Sequence, residues 1–185
     1  MASTTDFRNG FTMVIDGTIF TIVEFQHVKP GKGNAFVRTK LKNLQTGAVL
    51  ERTFRSGDKV ENVRVEKREM QYLYTDGDVF NFMDTETYDQ IALGDDIVGD
   101  ESKLLKENDT AFVLVAHDKP ISIELPNFVQ LEVTQTEPGV KGDTATGASK
   151  SATLETGAVV MVPLFINQGD VLKIDTRTGD YVERV

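Results

Sequence analysis

Cysteine is missing from all 185 residues, which excludes disulfide frameworks, thiol chemistry and cysteine-ligated zinc. Histidine is nearly missing, with His27 and His117 standing 90 positions apart. No stretch approaches the roughly 18 apolar residues of a membrane-spanning helix, and nothing near the N-terminus has the apolar centre of a secretion signal. Positive charge is in deficit, with 20 Lys and Arg against 29 Asp and Glu and a net charge of -9. A protein coated all over in cations, as a DNA packer is, is therefore excluded. What is present suffices for packed cores, because 39% hydrophobic residues are too many for a disordered chain. The expectation is a cytoplasmic protein that folds without metal and has no membrane partner.

The charge is unevenly spread. Residues 1–64 carry ten basic and six acidic side chains, a net of +4, whereas residues 65–185 carry ten basic and 23 acidic ones, a net of -13. Lys29, Lys32, Arg38, Lys40 and Lys42 follow one another without an intervening acid. A cationic patch on an acidic body suits contact with a polyanion over one face and repulsion elsewhere.

Strand signals run through most of the chain. Ile19 to Gln26 is rich in β-branched and aromatic residues, bounded by Asp16-Gly17 and Pro30-Gly31. From Ala35 to Leu44 the residues alternate, so Val37, Thr39 and Leu41 point one way and Arg38, Lys40 and Lys42 the other. Further strand-like runs are Ala48–Phe54, Met70–Tyr74, Val79–Met83, Ala111–Ala116, Ile121–Leu125, Phe128–Thr134, Val159–Pro163 and Val171–Ile174. One stretch reads as helix, capped by Asp100 and running through Lys103, Leu104, Leu105 and Lys106. The fold class expected is all-β with one short helix.

A prior of roughly 150 residues per domain allows one domain or two or three small ones. The charge changes near residue 64, and a new alternating run begins after Pro126. Cuts there give domains 1–64, 65–126 and 127–185, each small enough that a tight five-stranded barrel is the economical solution. Composition alone also admits a single large sandwich.

Lys29-Pro30-Gly31-Lys32-Gly33-Asn34 lies between two strand-like runs and is expected to be a protruding hairpin loop. Pro30 fixes one φ angle, and Gly31 and Gly33 permit positive φ on either side of Lys32. Six residues folded back on themselves project roughly 10 Å. The Gly and Lys spacing of a nucleotide-binding P-loop is absent.

Lys29 to Arg38 as a whole resembles the tip hairpin of bacterial translation elongation factor P. Similar segments follow in family order: Met70 to Tyr74, Phe82-Met83-Asp84, Glu124-Leu125-Pro126, Thr136 to Gly147, and Gly179 to Arg184. The resemblance is nearly full length. It implies an SH3-like domain of the KOW type followed by two OB-folds, three small β-barrels in an L-shaped arrangement. It also implies a monomer that enters the ribosome between the peptidyl and exit sites, touches both subunits and peptidyl-tRNA, and relieves stalling at consecutive prolines without enzymatic chemistry or a cofactor.

On the same basis Lys32 is the tip residue that reaches toward the CCA end of the tRNA, a residue that in many members of the family bears a covalent extension added by a lysine-modifying enzyme. Arg38, Lys40 and Lys42, with Lys29, are assigned to phosphate contacts, which position without reading sequence. Gly142, Asp143, Thr144, Thr146 and Gly147 resemble a family loop that lies near the exit-site codon. Tyr181 and Arg184 match a terminal motif associated with small-subunit contact, where an aromatic ring and a cation stack on RNA.

No catalytic or metal-binding group emerges. His27 reads as a packed or hydrogen-bonded histidine, and His117-Asp118 lacks a nucleophile and abuts Lys119-Pro120, as a surface turn does. Asp76-Gly77-Asp78 lacks the spacing of a calcium loop. Other functions compatible with the residues are a nucleic-acid-binding module of the transcription-elongation type, a paralogous factor with other stalling targets, and an all-β hydrolase for which no carboxylate pair can be picked out.

Overall fold

The computed structural model describes residues 1–139 and 148–185 and is built of strands almost throughout. By its internal contacts the chain divides into two units, Met1–Lys67 with Leu114–Ser122, and Arg68–Val113 with Ile123–Val185.

The first sheet has six strands: β1 (Ala2–Ser3), β2 (Thr12–Ile15), β3 (Thr18–Val28), β4 (Phe36–Asn43), β5 (Val49–Arg55) and β6 (Lys59–Asn62), in the order β1-β6-β2-β3-β4-β5. Asp16 and Gly17 take φ of 50° and 78°, the left-handed pair that folds a two-residue hairpin between β2 and β3. Its core is aromatic and aliphatic, with Phe7, Phe11, Met13, Phe20, Ile22, Val37, Leu41, Phe54 and Val60 all buried. Phe7 touches Phe11 and Phe54 with ring centroids 5.5 and 5.3 Å apart, a tilted and an edge-on contact of the favoured kind.

β7 (Val65–Asp76), β8 (Val79–Asp84), β9 (Gln90–Gly94), β10 (Thr110–Ala116) and β11 (Lys119–Glu124) form the second sheet, ordered β11-β10-β7-β8-β9. Met70, Tyr72, Phe82, Leu93, Ala111 and Val113 are buried along it. The third sheet contains β12 (Phe128–Thr136), β13 (Ser149–Leu154), β14 (Val159–Pro163), β15 (Val171–Asp175) and β16 (Asp180–Arg184), ordered β14-β13-β12-β15-β16. Its two edge strands, β14 and β16, approach each other, which curls the sheet toward a barrel. The all-β expectation, with an SH3-like barrel followed by OB-type barrels, agrees with these sheets.

The helix differs from the expectation. A four-residue α1 (Asp95–Val98) starts from Gly94 and stops at Gly99, whose φ of 58° no continuing α-helix accepts. A 3-10 turn, Gly99–Leu104, follows, so Asp100 lies inside that turn and caps nothing. A second 3-10 turn at Thr4–Asp6, capped by the Ser3 hydroxyl and by Asp6, had no counterpart in the sequence reading. Leu104 at the end of the longer turn belongs to the third core, beside Leu131, Leu154, Ile166 and Leu172. The Thr156 hydroxyl donates to the Lys103 carbonyl at 2.5 Å and Lys106 pairs with Glu155 at 3.2 Å, which fastens the same turn to the β13–β14 connection.

β6, with sequence KVEN, and β13, with sequence SKSATL, are strands that composition does not announce. Neither carries the β-branched and aromatic density that marks a strand, and both exist because neighbours on either side pair with them.

Candidate nucleic-acid interface

Strands β3 and β4 form a long antiparallel hairpin, from Phe20 opposite Asn43 to Val28 opposite Phe36. Val37, Thr39 and Leu41 are buried to 0%, 3% and 0% exposure, so one face of β4 is core and the cations Arg38, Lys40 and Lys42 project from the other. This alternation matches the sequence reading. Thr39 is accommodated in the core because its hydroxyl donates to the Arg52 carbonyl at 2.7 Å.

A β-bulge interrupts the pairing between Ile22 and Glu24. Ile22 lies opposite core-facing Leu41, and Glu24 lies opposite outward Lys40, so the extra residue, Val23, turns the outer half of β3 over. Simple alternation would have sent Glu24 inward with Ile22. Instead Glu24 Oε2 reaches Lys40 Nζ at 2.9 Å, and Glu51 of β5 stands opposite Lys40 from the other side. Hydrogen bonding to Glu24, followed by the charges of Glu24 and Glu51, pushes the Lys40 ammonium above its ordinary pKa. The run that is free of acids in sequence is therefore not free of them in space, and Lys40 presents a neutralised cation.

Arg38 has no carboxylate partner among the described residues; its guanidinium lies 5.7 Å from the Phe36 ring centroid. Opposite it stand Gln26 on β3 and Thr53 on β5. Together with the Glu24, Lys40 and Glu51 row, these side chains line an open groove of about 500 Å³ across three strands. Lys42 is half-buried and carries no ion pair among the described residues.

Residues Lys29 to Asn34 are all exposed and lie beyond the last paired residues of the hairpin. Gly33 has φ +107°, and a Cβ there would stand 3.9 Å from Pro30 Cγ, so the two residues face each other across the loop. Gly31, in contrast to the expectation, has no positive φ and has open space where a Cβ would project. Its place in the loop does not require glycine's left-handed freedom; only one side of Lys32 uses it. Lys29 and Lys32 make no hydrogen bond or ion pair among the described residues. His27 is exposed and not packed in the core as expected, and its ring meets Phe25 edge-on with centroids 5.8 Å apart.

Gly142, Asp143, Thr144, Thr146 and Gly147 lie outside the described residues. At the C-terminus, a second bulge between Lys173 and Ile174 sets Tyr181 opposite Ile174 and Arg184 opposite Leu172. Both partners face the core, so Tyr181 and Arg184, three apart in sequence, share one face of β16. Tyr181 packs against the third core, whereas the Arg184 guanidinium lies 5.3 Å from the Phe165 ring centroid and 3.6 Å from Asp170. Phe165 is 57% exposed and was not singled out in the sequence, where nothing local links it to Arg184. His117 and Asp118 take φ of 51° and 60° and form the turn between β10 and β11, as expected of a surface turn. Among the described residues no helix is long and apolar enough to cross a membrane.

The fold and the hairpin define a class of protein, small β-barrels with a cationic face suited to a polyanion. Models of three parts of one family match the chain: the elongation factor P KOW-like domain at residues 3–60, the elongation factor P OB domain at 65–123, and the elongation factor P C-terminal domain at 129–184. Elongation factor P of Moorella thermoacetica is 62% identical over 184 residues, and that of Pelotomaculum thermopropionicum 60% over 185, each comparison covering 100% of both chains. Among solved structures, a translation initiation factor eIF-5A family protein from Naegleria fowleri has the same fold over 67% of this chain and 96% of its own, with a TM-score of 0.51 and 18% identity. The chain belongs to the elongation factor P family and is a translation elongation factor.

Proposed function

We propose that the chain binds the ribosome between the peptidyl and exit sites, contacts peptidyl-tRNA and stimulates peptide-bond formation where synthesis stalls on consecutive prolines. The observation that carries this reading is Lys32, an exposed cation without a partner among the described residues, at the end of a long hairpin in a chain of this family. Proline is a constrained and poor nucleophile, so a loosely held peptidyl-tRNA wastes encounters. Holding the two reactants in register recovers several of the roughly 7–11 kcal/mol available from positioning. The factor itself supplies no covalent chemistry and no cofactor.

Bare lysine reaches about 6 Å from its Cα, by standard bond lengths. A covalent extension placed on Lys32 by a lysine-modifying enzyme lengthens that reach toward the CCA end. Lys29, Arg38 and Lys42 contact RNA phosphates directly, and Lys40 does so by exchanging Glu24 for a phosphate. Arg184 and Tyr181 act at the small subunit, and residues 142–147 near the exit-site codon. The factor works as a cytoplasmic monomer with functional parts at 1–64, 65–126 and 127–185.

Replacement of Lys32 by Ala tests the reading in a reconstituted translation system. The variant should keep the wild-type melting temperature and lose rescue of Pro-Pro-Pro synthesis. Equal rescue by both proteins overturns the role of Lys32, and intact mass of the protein from its own host reads any extension.

A further inference from the structure

A notch of about 300 Å³ opens in the first sheet where the turn before β2 meets the chain leaving β6, away from the tip hairpin. Arg8, Thr12, Asn62 and Arg64 line it, with buried Phe11 and Val63 beneath, and no Asp or Glu is among its lining residues. The two segments that carry the arginines are tied together. Val63 N–H donates to the Thr12 carbonyl at 3.2 Å, and the Thr12 hydroxyl donates to the Val63 carbonyl. Phe11 N–H donates to the Arg8 carbonyl at 3.0 Å and Gly10 N–H to the Ile22 carbonyl at 2.8 Å, which holds the turn on β3. The spacing of Arg8 and Arg64 along the chain is thus converted into a fixed separation across the notch.

Arg8 has no ion pair among the described residues, and Arg64, 87% exposed, pairs with Glu66 at 3.7 Å, a long and solvent-exposed contact that a phosphate can displace. The Asn62 side chain also makes no hydrogen bond among the described residues, leaving an amide donor free at the same rim. Exposed arginines on a surface are commonly solvated and nothing more. Here two converge on one concavity with a free amide and no lining acid, within a segment, residues 1–64, whose net charge is +4. Guanidinium forks match phosphate oxygens pairwise, and their charge persists at every physiological pH.

We propose that Arg8, Arg64 and Asn62 form a binding site for one phosphate of an RNA backbone, an anchor separate from the tip loop and the β4 cations. The site rests on the ribosome-binding reading above and adds a contact to it. It fixes the hairpin's approach from a second point, so that Lys32 meets its target with less rotational freedom.

The test is the double variant R8Q/R64Q, which removes both charges while keeping polar side chains, titrated with salt against ribosomes carrying peptidyl-tRNA. Melting should be unchanged, affinity should fall, and the log–log salt slope should become shallower by about 0.7–0.9, the contribution of one phosphate. Inorganic phosphate is added in parallel to the free protein, with the arginine Nε–H resonances as readout. An unchanged salt slope overturns the proposal. Phosphate-induced shifts together with an unchanged slope also overturn it, because the site would then take a free anion and not a nucleic-acid backbone. Should wild-type protein fail to bind the ribosome at all, both this proposal and the functional reading fall; wild-type binding with an unaltered variant removes this one alone.

Discussion

Glu24 Oε2 lies 2.9 Å from Lys40 Nζ, an ion pair across the tip hairpin that the bulge at Val23 creates. Both side chains are substantially exposed, so the pair contributes little to stability and much to what the outer face presents to a polyanion. Lys40 is the middle cation of the β4 row, and Glu24 holds it in check.

Glu24→Gln should release Lys40. Ribosome affinity should rise and its salt dependence steepen by about 0.7–0.9 in log–log slope if the freed ammonium takes one phosphate. The pair raises the Lys40 pKa above 10.5, so its contribution to folding is complete at neutral pH and is lost only as pH climbs through the raised value. Because that contribution is small for an exposed pair, melting curves of wild type and variant near pH 7 should nearly coincide, and a salt slope identical in both would remove Lys40 from the interface.

Two glycines of one loop should behave differently. Gly33→Ala forces an L side chain to φ +107°, a cost on the order of 1–2 kcal/mol, and the loop will shift to escape it. Gly31→Ala meets open space at an ordinary φ and should be silent. Rescue of Pro-Pro-Pro synthesis should drop several-fold for the first and stay at wild-type level for the second. Equal loss in both would mean that loop flexibility, and not the single strained position, matters.

Leu104→Ala removes a buried side chain that the third core borrows from the 3-10 turn. The expected loss is about 2–5 kcal/mol, by analogy with buried leucine truncations. Hydrogen exchange should show faster opening of β12 and β15, which line that core, while β3 and β4 keep their protection. Uniform destabilisation of all three sheets, or none, would contradict this placement.

Acid should weaken the C-terminal barrel through Asp175. Arg177 binds its carboxylate through Nε at 3.1 Å and Nη2 at 2.9 Å, and backbone N–H groups of the turn assist, all of which hold the carboxyl below its ordinary pKa. A depressed folded-state pKa means stability that is present above 3.8 and lost as pH falls through the lower folded value. Asp175→Asn should accordingly be less stable at pH 7, converge with wild type near pH 2, and show a flatter acid limb in denaturation. Parallel acid limbs in the two proteins would exclude Asp175 as a source of acid sensitivity.

Much of the tip hairpin was legible because it depends on neighbours in sequence. The period of two along Ala35–Leu44 assigned Val37, Thr39 and Leu41 to the core and three cations to the outside, and Pro30 and Gly33 marked the loop. Tyr181 and Arg184 were legible as a pair only by likeness. Alternation puts residues three apart on opposite faces, and the bulge on β16 reverses that. Arg8 and Arg64, 56 positions apart, gave no signal because nothing local links them.

By itself the amino-acid order determined the strand-rich class, the exposed lysine at the loop tip, the division of charge and the family. Tertiary structure decided which acids meet which cations, which glycine is strained, where Leu104 is buried, and that two distant arginines share a notch. The reason is one of range. Alternation and turn chemistry act over a few bonds, whereas bulge position, strand neighbours and cross-chain ion pairs depend on register between segments that only folding brings together.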